Sequence, residues 1–417
     1  MPLEPRMAEI ELLKAASRVR PDRAAQARLL ELANQRIDWN RVLQLARAAR
    51  VSALVCWNLR GTNGSNVPVP VLSELRSRFQ ANAVRNLSLT GQLVRVVRNL
   101  EAEGIRVVPF KGPTLAALAY GNLALREFGD LDLLVHAADF ERAEEVLRLQ
   151  RFLPASEPSA HHRAAYRRSL GQLPFVSERG ELLELHDRLT PPGFRFDLSP
   201  AAADQPTQTV AVLGQKLTTL PTEELLLFLS AHGAKHAWNT LALVVDIAEL
   251  LRSAEQLNWD RTRDLARRVR GERMLQLALV LAEEILGAPV PADIAELPRE
   301  GIVRKLAGRI GEQLLHCGGV DASGWERGRF HWQVRERWRD GARYWLDLAL
   351  APTTADWCGV NLPQALSFLY YVMRPVRLAG KYARQWLPTA RSQPVAGRNR
   401  PCCAAAAGSL PQELAGS

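Results

Sequence analysis

Apolar side chains recur at helical spacing through the first hundred residues of the chain. One helical face, at positions i, i+4, i+7, i+8 and i+11, is formed by Leu89, Leu93, Val96, Val97 and Leu100. Gly104 follows this face, as a glycine often follows the end of a helix. Residues 61–70 are rich in glycine, asparagine and proline and predict a loop between two helical stretches. The pattern therefore predicts a helical N-terminal region over residues 1–103.

After this region the pattern changes to short β-branched and alternating runs. Residues 105–110 predict a buried strand, and residues 114–120 predict a helix with Pro113 near its first turn. Residues 131–135 alternate between two faces and predict a second strand, and residues 182–186 predict a third. The helix between them has an apolar side made of Phe140, Ala143, Val146 and Leu147. Together these elements predict a mixed α/β block over residues 104–200.

A segment rich in proline, alanine and glutamine, at about residues 198–209, predicts a linker after this block. From Thr222 onward the spacing is mostly helical again, which predicts a helical C-terminal domain over residues 210–388. Residues 389–417 contain a four-alanine run with scattered proline and glycine, a composition typical of disorder. A chain of 417 residues is long enough for two or three domains, because single cores stop growing near ~250 residues.

The composition is that of a soluble protein, with 47% hydrophobic residues and a mean hydropathy of −0.14. No apolar run approaches the ~20 residues that a membrane-spanning helix needs, and the charged N-terminus does not resemble a signal peptide. Five cysteines without regular spacing argue against a disulfide framework, so we predict a cytoplasmic location. The net charge of +10 attracts polyanions, but it is spread along an arginine-rich chain. Nucleic acid is therefore not the favoured partner.

Two carboxylates, Asp130 and Asp132, are expected on the same face at the start of the second strand. Oxygen ligands of this kind suit Mg²⁺ or Mn²⁺, and Glu184 on the later strand would complete a set of three. An isolated Asp-x-Asp pair is more often solvated than functional. The order of strand, Lys-Gly turn, helix, Asp-x-Asp strand and glutamate strand favours a metal site. Such a set supports phosphoryl or nucleotidyl transfer, and the turn before the helix, residues 111–114, offers a seat for phosphate.

Several of these motifs resemble those of the uncharacterised nucleotidyltransferase family of bacteria, which is related to DNA polymerase β. Residues 110–112 match its Lys-Gly signature, and residues 126–135 match its Arg…Gly-Asp-x-Asp-Leu-Leu-Val signature. Its Glu/Asp-x-His strand is matched at 184–186, and its His-Gly-x-x-His block at 232–236, with Trp238 and Asp246 following. A C-terminal block at 362–378 is also similar to the family, so the resemblance extends over roughly residues 85–385.

The resemblance implies an α+β fold, in which a polymerase-β-like core with a small mixed sheet lies between mainly helical N- and C-terminal regions. It implies that Asp130, Asp132 and Glu184 bind Mg²⁺ or Mn²⁺ and serve catalysis. Binding of the nucleoside triphosphate (NTP) is assigned to Lys111, Gly112, Thr114, Arg126 and Lys235. Related transferases have Gly-Ser at the phosphate-binding turn where this chain has Gly112-Pro113, so Thr114 would supply the missing hydroxyl.

The histidines have two interpretations. His232 and His236 share a helical face, and with His186 they either contact the nucleotide or its acceptor or pack the helical domain on the core. Zinc binding has no support, because no third ligand is evident. Arginines also surround a near-heptad series of tryptophans, Trp325, Trp332, Trp338 and Trp345. Such a stretch can stack nucleic-acid bases or lie on a membrane, but it more often forms the buried stripe of an amphipathic helix.

Three functions remain open on these grounds. The first is an enzyme that transfers a nucleoside monophosphate from an NTP to a hydroxyl of a small molecule, sugar or peptide. The second is a phosphotransferase or accessory biosynthetic factor on the same fold, for which the same carboxylates would serve. The third is an inactive module that binds nucleotide or nucleic acid. Retention of all three carboxylates argues against the third, because a pure binder does not need to bear their mutual repulsion.

Overall fold

The computed structural model describes residues 5–60, 66–155, 163, 167–194, 196–198, 207–254, 256–291, 294, 301–317, 324–350, 366 and 368–386. The predicted tail at 389–417 and most of the predicted linker therefore lie outside the described residues. The N-terminal region is helical, as predicted, with α1 Pro5–Ala16, α2 Arg23–Ala33, α3 Trp39–Ala48, α4 Ser52–Leu59 and α5 Val69–Ala102. Helix α5 ends just before Gly104, whose φ of 70° is the left-handed conformation that favours glycine.

A small mixed sheet follows, as the α+β fold class predicts. It contains β1 Val107–Pro109, β2 Asp130–Val135, β3 Phe152–Pro154, β4 Gln172–Ser177 and β5 Leu182–His186, in the spatial order β1-β2-β5-β4-β3. Strands β2 and β5 are parallel, and the other neighbouring pairs are antiparallel. Between β1 and β2 lies α6 Gly112–Leu115, which continues as a π-helical turn over Ala116–Tyr120, and α7 Phe140–Leu149 follows β2.

The apolar face of the sheet is covered by helices α5 and α7. Leu131, Leu133, Leu183 and Leu185 of the two central strands are each fully buried. They form one hydrophobic cluster with the apolar faces predicted for the two helices, which include Leu93 and Val97 of α5 and Phe140 and Leu147 of α7. Because side chains alternate along a strand, this packing turns the polar positions of β2 and β5 to the opposite face.

A β-hairpin that the sequence analysis did not predict lies beyond the sheet. Strands β6 Gln208–Val212 and β7 Gln215–Thr219 pair antiparallel around Leu213 and Gly214, which both have positive φ. The hydroxyl of Thr219 donates a hydrogen bond of 2.7 Å to the carbonyl of Pro109 in β1. The end of the predicted linker at 198–209 is therefore the start of a strand that is anchored to the core.

The rest of the described chain is helical, as predicted. Its elements are α8 Thr222–Lys235, α9 Leu241–Ser253, α10 Trp259–Val269, α11 Glu272–Leu286, α12 Gly301–Cys317, α13 Gly324–Gln333, α14 Trp338–Leu350 and α15 Leu369–Trp386. Buried residues of α1–α4 and of α8–α11 belong to one hydrophobic cluster, so the two predicted helical regions pack together. No helix that the structure describes has both the length and the apolar content needed to cross a membrane.

The interpretation of the four tryptophans as one buried stripe is wrong. The stretch forms two helices, α13 and α14, and the side chains of Trp332 and Trp338 are 42% and 69% exposed. Trp345 lies against Gly328, where an added Cβ atom would be 2.4 Å from its ring, and the side chain of Trp325 lies outside the described part. The break between the helices changes the helical phase, so heptad spacing along the sequence does not give one common face.

Candidate metal and nucleotide site

The parallel pairing of β2 with β5 brings the candidate metal ligands together. The register places Asp132 beside Glu184 and Leu134 beside His186. Ligand atoms of Asp132, Glu184 and His186 all lie within 4.8 Å of one another, and this is the one group of that kind in the part of the chain that the structure describes. Asp130 stands two residues before Asp132 on the same strand face but does not belong to this group.

Asp132 is the centre of the site and is 2% exposed. Its Oδ1 atom lies 2.8 Å from Nζ of Lys111 and 3.2 Å from Nε2 of His186. The same Nε2 atom lies 3.4 Å from Oε2 of Glu184. Oδ2 of Asp132 is buried and has no hydrogen-bond partner among the described residues. A buried carboxylate oxygen without a partner is costly, so this atom needs a cation or a donor that binds there.

Charge interactions set the protonation of the site. Burial by itself would raise the pKa of Asp132, but the charges and hydrogen bonds of Lys111 and His186 hold that pKa well below its ordinary value. Burial raises the pKa of Asp130, and the negative charges of Asp132 and Glu184 raise it further. Burial would lower the pKa of Lys111, but the surrounding carboxylates more than offset this effect and raise it. Lys111 and Asp132 are therefore both charged at neutral pH.

The donor set fits a divalent cation. Carboxylate oxygens suit Mg²⁺ and Mn²⁺, and a neutral imidazole nitrogen is a common ligand of transition metals. Asp132 and Glu184 were predicted as ligands, whereas His186 was predicted to serve the acceptor or the packing. Its position two residues after Glu184 on the same strand was the available signal, since alternate residues of a strand share a face. The assignment of Asp130, Asp132 and Glu184 as metal ligands stays a prediction, and the geometry adds His186 as a further candidate ligand.

The Lys-Gly turn holds Lys111 against the carboxylates. Gly112 has a φ of 49°, and a Cβ atom added there would lie 3.1 Å from the carbonyl oxygen of Asp130. A larger residue would thus push the turn away from β2. Thr114 is buried, and its hydroxyl donates to the carbonyl of Lys111 at 2.8 Å. The Thr114 hydroxyl proton therefore stabilises the turn, and the predicted contact of this hydroxyl with phosphate stays a prediction.

Arg126 is bound to Asp246, 120 residues later in the chain. Its Nε and Nη2 atoms each donate a hydrogen bond of 2.8 Å to Asp246, whose Oδ1 also accepts a bond of 2.7 Å from the hydroxyl of Tyr120. Asp246, which follows the His-Gly-x-x-His block in the sequence, is therefore the ion-pair partner of Arg126 in the structure. Arg126 therefore joins the loop before β2 to helix α9, and its predicted contact with triphosphate stays a prediction.

Two asparagines of α5 that the sequence analysis did not single out fix the same loop. Asn82 and Asn86 are buried, and both side-chain amides donate to the carbonyl of Arg126, at 3.3 and 2.7 Å. They also bind the carbonyls of Ala124 and Leu123. An asparagine four residues after another in a long helix gives the only sequence signal, because the pair shares one face.

Helix α8 places a series of rings beside the carboxylates. The ring centroid of Phe228 lies 5.1 Å from that of Phe110, and Nζ of Lys111 lies 6.0 Å from the Phe228 ring. His232 stacks on Phe228 at 5.6 Å, and His236 lies 4.6 Å from His232. His232 is half-buried and His236 is exposed, and the choice between contact with substrate and packing of the helical domain stays a prediction.

Lys235 lies within the electrostatic reach of the site and has no hydrogen bond or ion pair among the described residues. Burial and the positive charge of Lys111 lower its pKa, which Glu184 and Asp132 partly offset. Burial also lowers the pKa of His232 far below its ordinary value, with Lys111 and His236 adding to the effect. Two ammonium groups and a neutral imidazole thus lie close to the carboxylates, an arrangement that attracts an anion such as a phosphate chain.

Comparison with solved structures gives two distant likenesses. The solution structure of the antibiotic-resistance factor ANT(2'')-Ia has a TM-score of 0.33 and 10% sequence identity, and the match covers 44% of this chain and 92% of that one. The crystal structure of an antigenic nucleotidyltransferase-like protein from Paracoccidioides brasiliensis has a TM-score of 0.32 and 16% identity, covering 51% and 96%. No curated protein matches the chain.

A match to a family model assigns the chain to a protein family. The model for uncharacterised nucleotidyltransferases matches residues 35–287, a segment that includes the whole sheet, the Lys-Gly turn and helices α8 to α10. The match covers more than half of the 417 residues and confirms the resemblance found in the motifs. The chain belongs to the family of uncharacterised nucleotidyltransferases.

Proposed function

We propose that the chain transfers a nucleoside monophosphate from an NTP to a hydroxyl, with Mg²⁺ or Mn²⁺ bound at the start of β2. One observation carries the proposal. The Asp132 carboxylate lies within 4.8 Å of ligand atoms of Glu184 and His186 and has a buried oxygen without a hydrogen-bond partner among the described residues. A cation bound there would supply charge stabilisation for the phosphates and a lower pKa for the attacking hydroxyl.

The residues around this group have roles that follow from their charges. Asp132 and Glu184, with Asp130 or His186, would hold the cation, and Glu184 is also placed to accept a proton. Lys111 and Lys235 would neutralise the triphosphate, because both ammonium groups lie within the electrostatic reach of the carboxylates. In the reaction the hydroxyl oxygen forms a bond to the α-phosphorus, and the bond to the β-phosphate oxygen breaks. Pyrophosphate leaves, and the hydroxyl proton passes to a nearby base.

Calorimetric titration of ATP, GTP, CTP and UTP, with and without Mg²⁺, tests this function. We expect at least one NTP to bind the wild type only with Mg²⁺, and Asp132→Asn to weaken this binding at least about tenfold, or ~1.4 kcal/mol. Asp130→Asn is a second variant, because Asp130 forms no ion pair among the described residues and its loss leaves Lys111 paired. Circular dichroism should show both variants folded.

The control is Asp139→Asn, which removes a carboxylate paired with the exposed Arg142 at 2.9 Å. It should bind NTP like the wild type. Equal affinity of wild type and Asp132→Asn for NTP with Mg²⁺ would contradict the proposal. Once an acceptor is known, release of pyrophosphate supports nucleotidyl transfer, whereas formation of a nucleoside diphosphate would identify the phosphotransferase alternative.

A further inference from the structure

A hollow lies at the C-terminal end of α8, next to α12 and α13. It contains about 450 Å³ of empty space, part of which is open to solvent. Its polar lining is formed by His236, Asn239, Arg309, Gln313, Glu326 and Arg327. The hollow is shallow and combines a concave shape with a few polar groups, so it suits one small charged group of a ligand and not a whole molecule. No step of the proposed nucleotidyl transfer uses these residues.

The turn that forms one wall of the hollow has an unusual backbone. Ala237 and Trp238 both adopt positive φ, 49° and 53°, a conformation that costs free energy for residues other than glycine. Trp238 is 1% exposed, and a Cβ atom added to Gly233 would lie 2.5 Å from its ring. The backbone N–H of Trp238 also donates to the carbonyl of Gly233 at 2.9 Å. The buried indole therefore holds His236 and Asn239 in place at the hollow.

The charges of the lining favour an anion. Two arginines face one glutamate, and the exposed Arg309 has no hydrogen bond or ion pair in the part of the chain that the structure describes. Desolvation and the positive charges of Lys235 and Lys111 lower the pKa of His236. His236 is therefore neutral at pH 7, and its ring can donate one hydrogen bond to an anion and accept another.

The hollow and the carboxylates lie at two points along one face of α8. Phe228, His232 and His236 are four residues apart in sequence, and consecutive ring centroids are 5.6 and 4.6 Å apart. Eight residues of helix correspond to about 12 Å. Phe228 in turn lies 6.0 Å from Nζ of Lys111, which pairs with Asp132. Phe228 is 2% exposed, so an acceptor would pass along the half-buried His232 and Lys235, and not along the Phe228 ring, to reach the carboxylates.

We propose that the hollow binds an anionic group, a phosphate or a carboxylate, of the acceptor whose hydroxyl is nucleotidylated at Asp132. This inference rests on the proposed function and deepens it, because it assigns the acceptor to a class. The acceptor is an extended hydroxyl compound with a negative charge on the order of 10 Å from the reacting oxygen. The triphosphate does not need the hollow, since Lys111 and Lys235 lie beside the carboxylates themselves.

Inorganic phosphate and acetate are the probes, titrated by calorimetry into protein saturated with Mg²⁺ and a non-hydrolysable α,β-methylene NTP. We expect phosphate or acetate to bind the loaded wild type, and the tighter of the two identifies the anionic group. Arg309→Gln should weaken that binding about tenfold, the size of a lost charge-assisted hydrogen bond of ~1.4 kcal/mol. Arg304→Gln removes the same charge from an exposed position of α12 outside the hollow, and its affinity should stay within about twofold of wild type.

The two titrations separate this inference from the proposed function. Binding of the NTP analogue with Mg²⁺ should be the same in wild type, Arg309→Gln and Arg304→Gln, because the hollow is not its site. If the analogue binds but neither anion binds the loaded protein, the acceptor site is refuted and the proposed function stands. An equal loss of affinity for the anion in Arg304→Gln and Arg309→Gln would likewise refute the hollow as the anion site. If the analogue fails to bind the wild type, the proposed function is refuted, and the acceptor role is refuted with it.

Discussion

Replacement of Asp246 by alanine tests whether the buried pair with Arg126 stabilises the junction between the sheet and α9. The side chains of Arg126 and Asp246 are 13% and 5% exposed, so the ions are largely removed from water. Burial would lower the pKa of Arg126, yet the charge and hydrogen bonds of Asp246 raise it above its ordinary value. The guanidinium therefore stays charged, and in Asp246→Ala it would be left without its counter-ion.

The expected loss of stability in Asp246→Ala follows from the groups that lose their partner. Breaking one side of a buried ion pair typically costs ~3–5 kcal/mol. The hydroxyl of Tyr120, which is 4% exposed, also loses its acceptor, which adds about 1–3 kcal/mol when no water replaces it. We expect the free energy of unfolding to fall by roughly 4 kcal/mol, because Arg126 is near the surface and partial hydration offsets some of the sum.

Urea unfolding followed by circular dichroism and tryptophan fluorescence measures this change, with Asp139→Ala as the matched control. Asp139 pairs with Arg142, whose side chain is 56% exposed, so its loss should cost ~0–1 kcal/mol. The double variant Arg126→Met/Asp246→Leu removes both charges and should regain the part of the loss that comes from the unpaired guanidinium, while Tyr120 still lacks its acceptor. A loss below ~1 kcal/mol in Asp246→Ala, or no recovery in the double variant, would refute the reasoning.

Two further predictions concern packing and pH. Gly233→Ala should lower the free energy of unfolding by ~1–3 kcal/mol, because the new Cβ atom would meet the buried ring of Trp238. Gly91→Ala, also within a helix but with no atom within 4 Å of the new Cβ, should raise it by up to ~1 kcal/mol, and chemical denaturation of both variants checks the contrast. Burial, with Arg335 nearby, lowers the pKa of His331 to about 3 from an ordinary 6.5. The unfolded chain therefore binds the proton first as pH falls below 6.5, and stability decreases by up to ~1.4 kcal/mol per pH unit from this group. His331→Phe should reduce that slope between about pH 4 and 6, and an unchanged slope would show that His331 is protonated in the folded protein.

The local pattern of the sequence was sufficient for several elements. The predicted strands at 131–135 and 182–186 correspond to β2 and β5, and the predicted apolar side of α7 is the side that packs on the sheet. Strands β3 and β4 were missed, because Leu153 is exposed and Pro174 interrupts the alternation of β4. The β6–β7 hairpin was missed because proline and alanine just before it dominate the composition of that segment.

The candidate site could be predicted only in part. The side-chain alternation of a strand placed Asp130 and Asp132 on one face, and the order of strands, turn and helix drew attention to Glu184 and to the Lys-Gly turn at Lys111. The inclusion of His186 in the ligand group depends on the parallel register of β2 with β5, which joins residues 52 positions apart. Periodicity gives the face of each strand, but it does not give the partner strand or the register.

The sequence by itself determined the elements around the site and the family, because periodicity and motifs are properties of neighbouring residues. The tertiary structure alone decided that Arg126 binds Asp246, that Lys235 lies within the electrostatic reach of the carboxylates, and that a hollow lies beside His236. Each of these facts depends on which distant segments pack together. That choice follows from the free energy of the whole chain, in which burial and ion pairing between remote residues offset the entropy of ordering them.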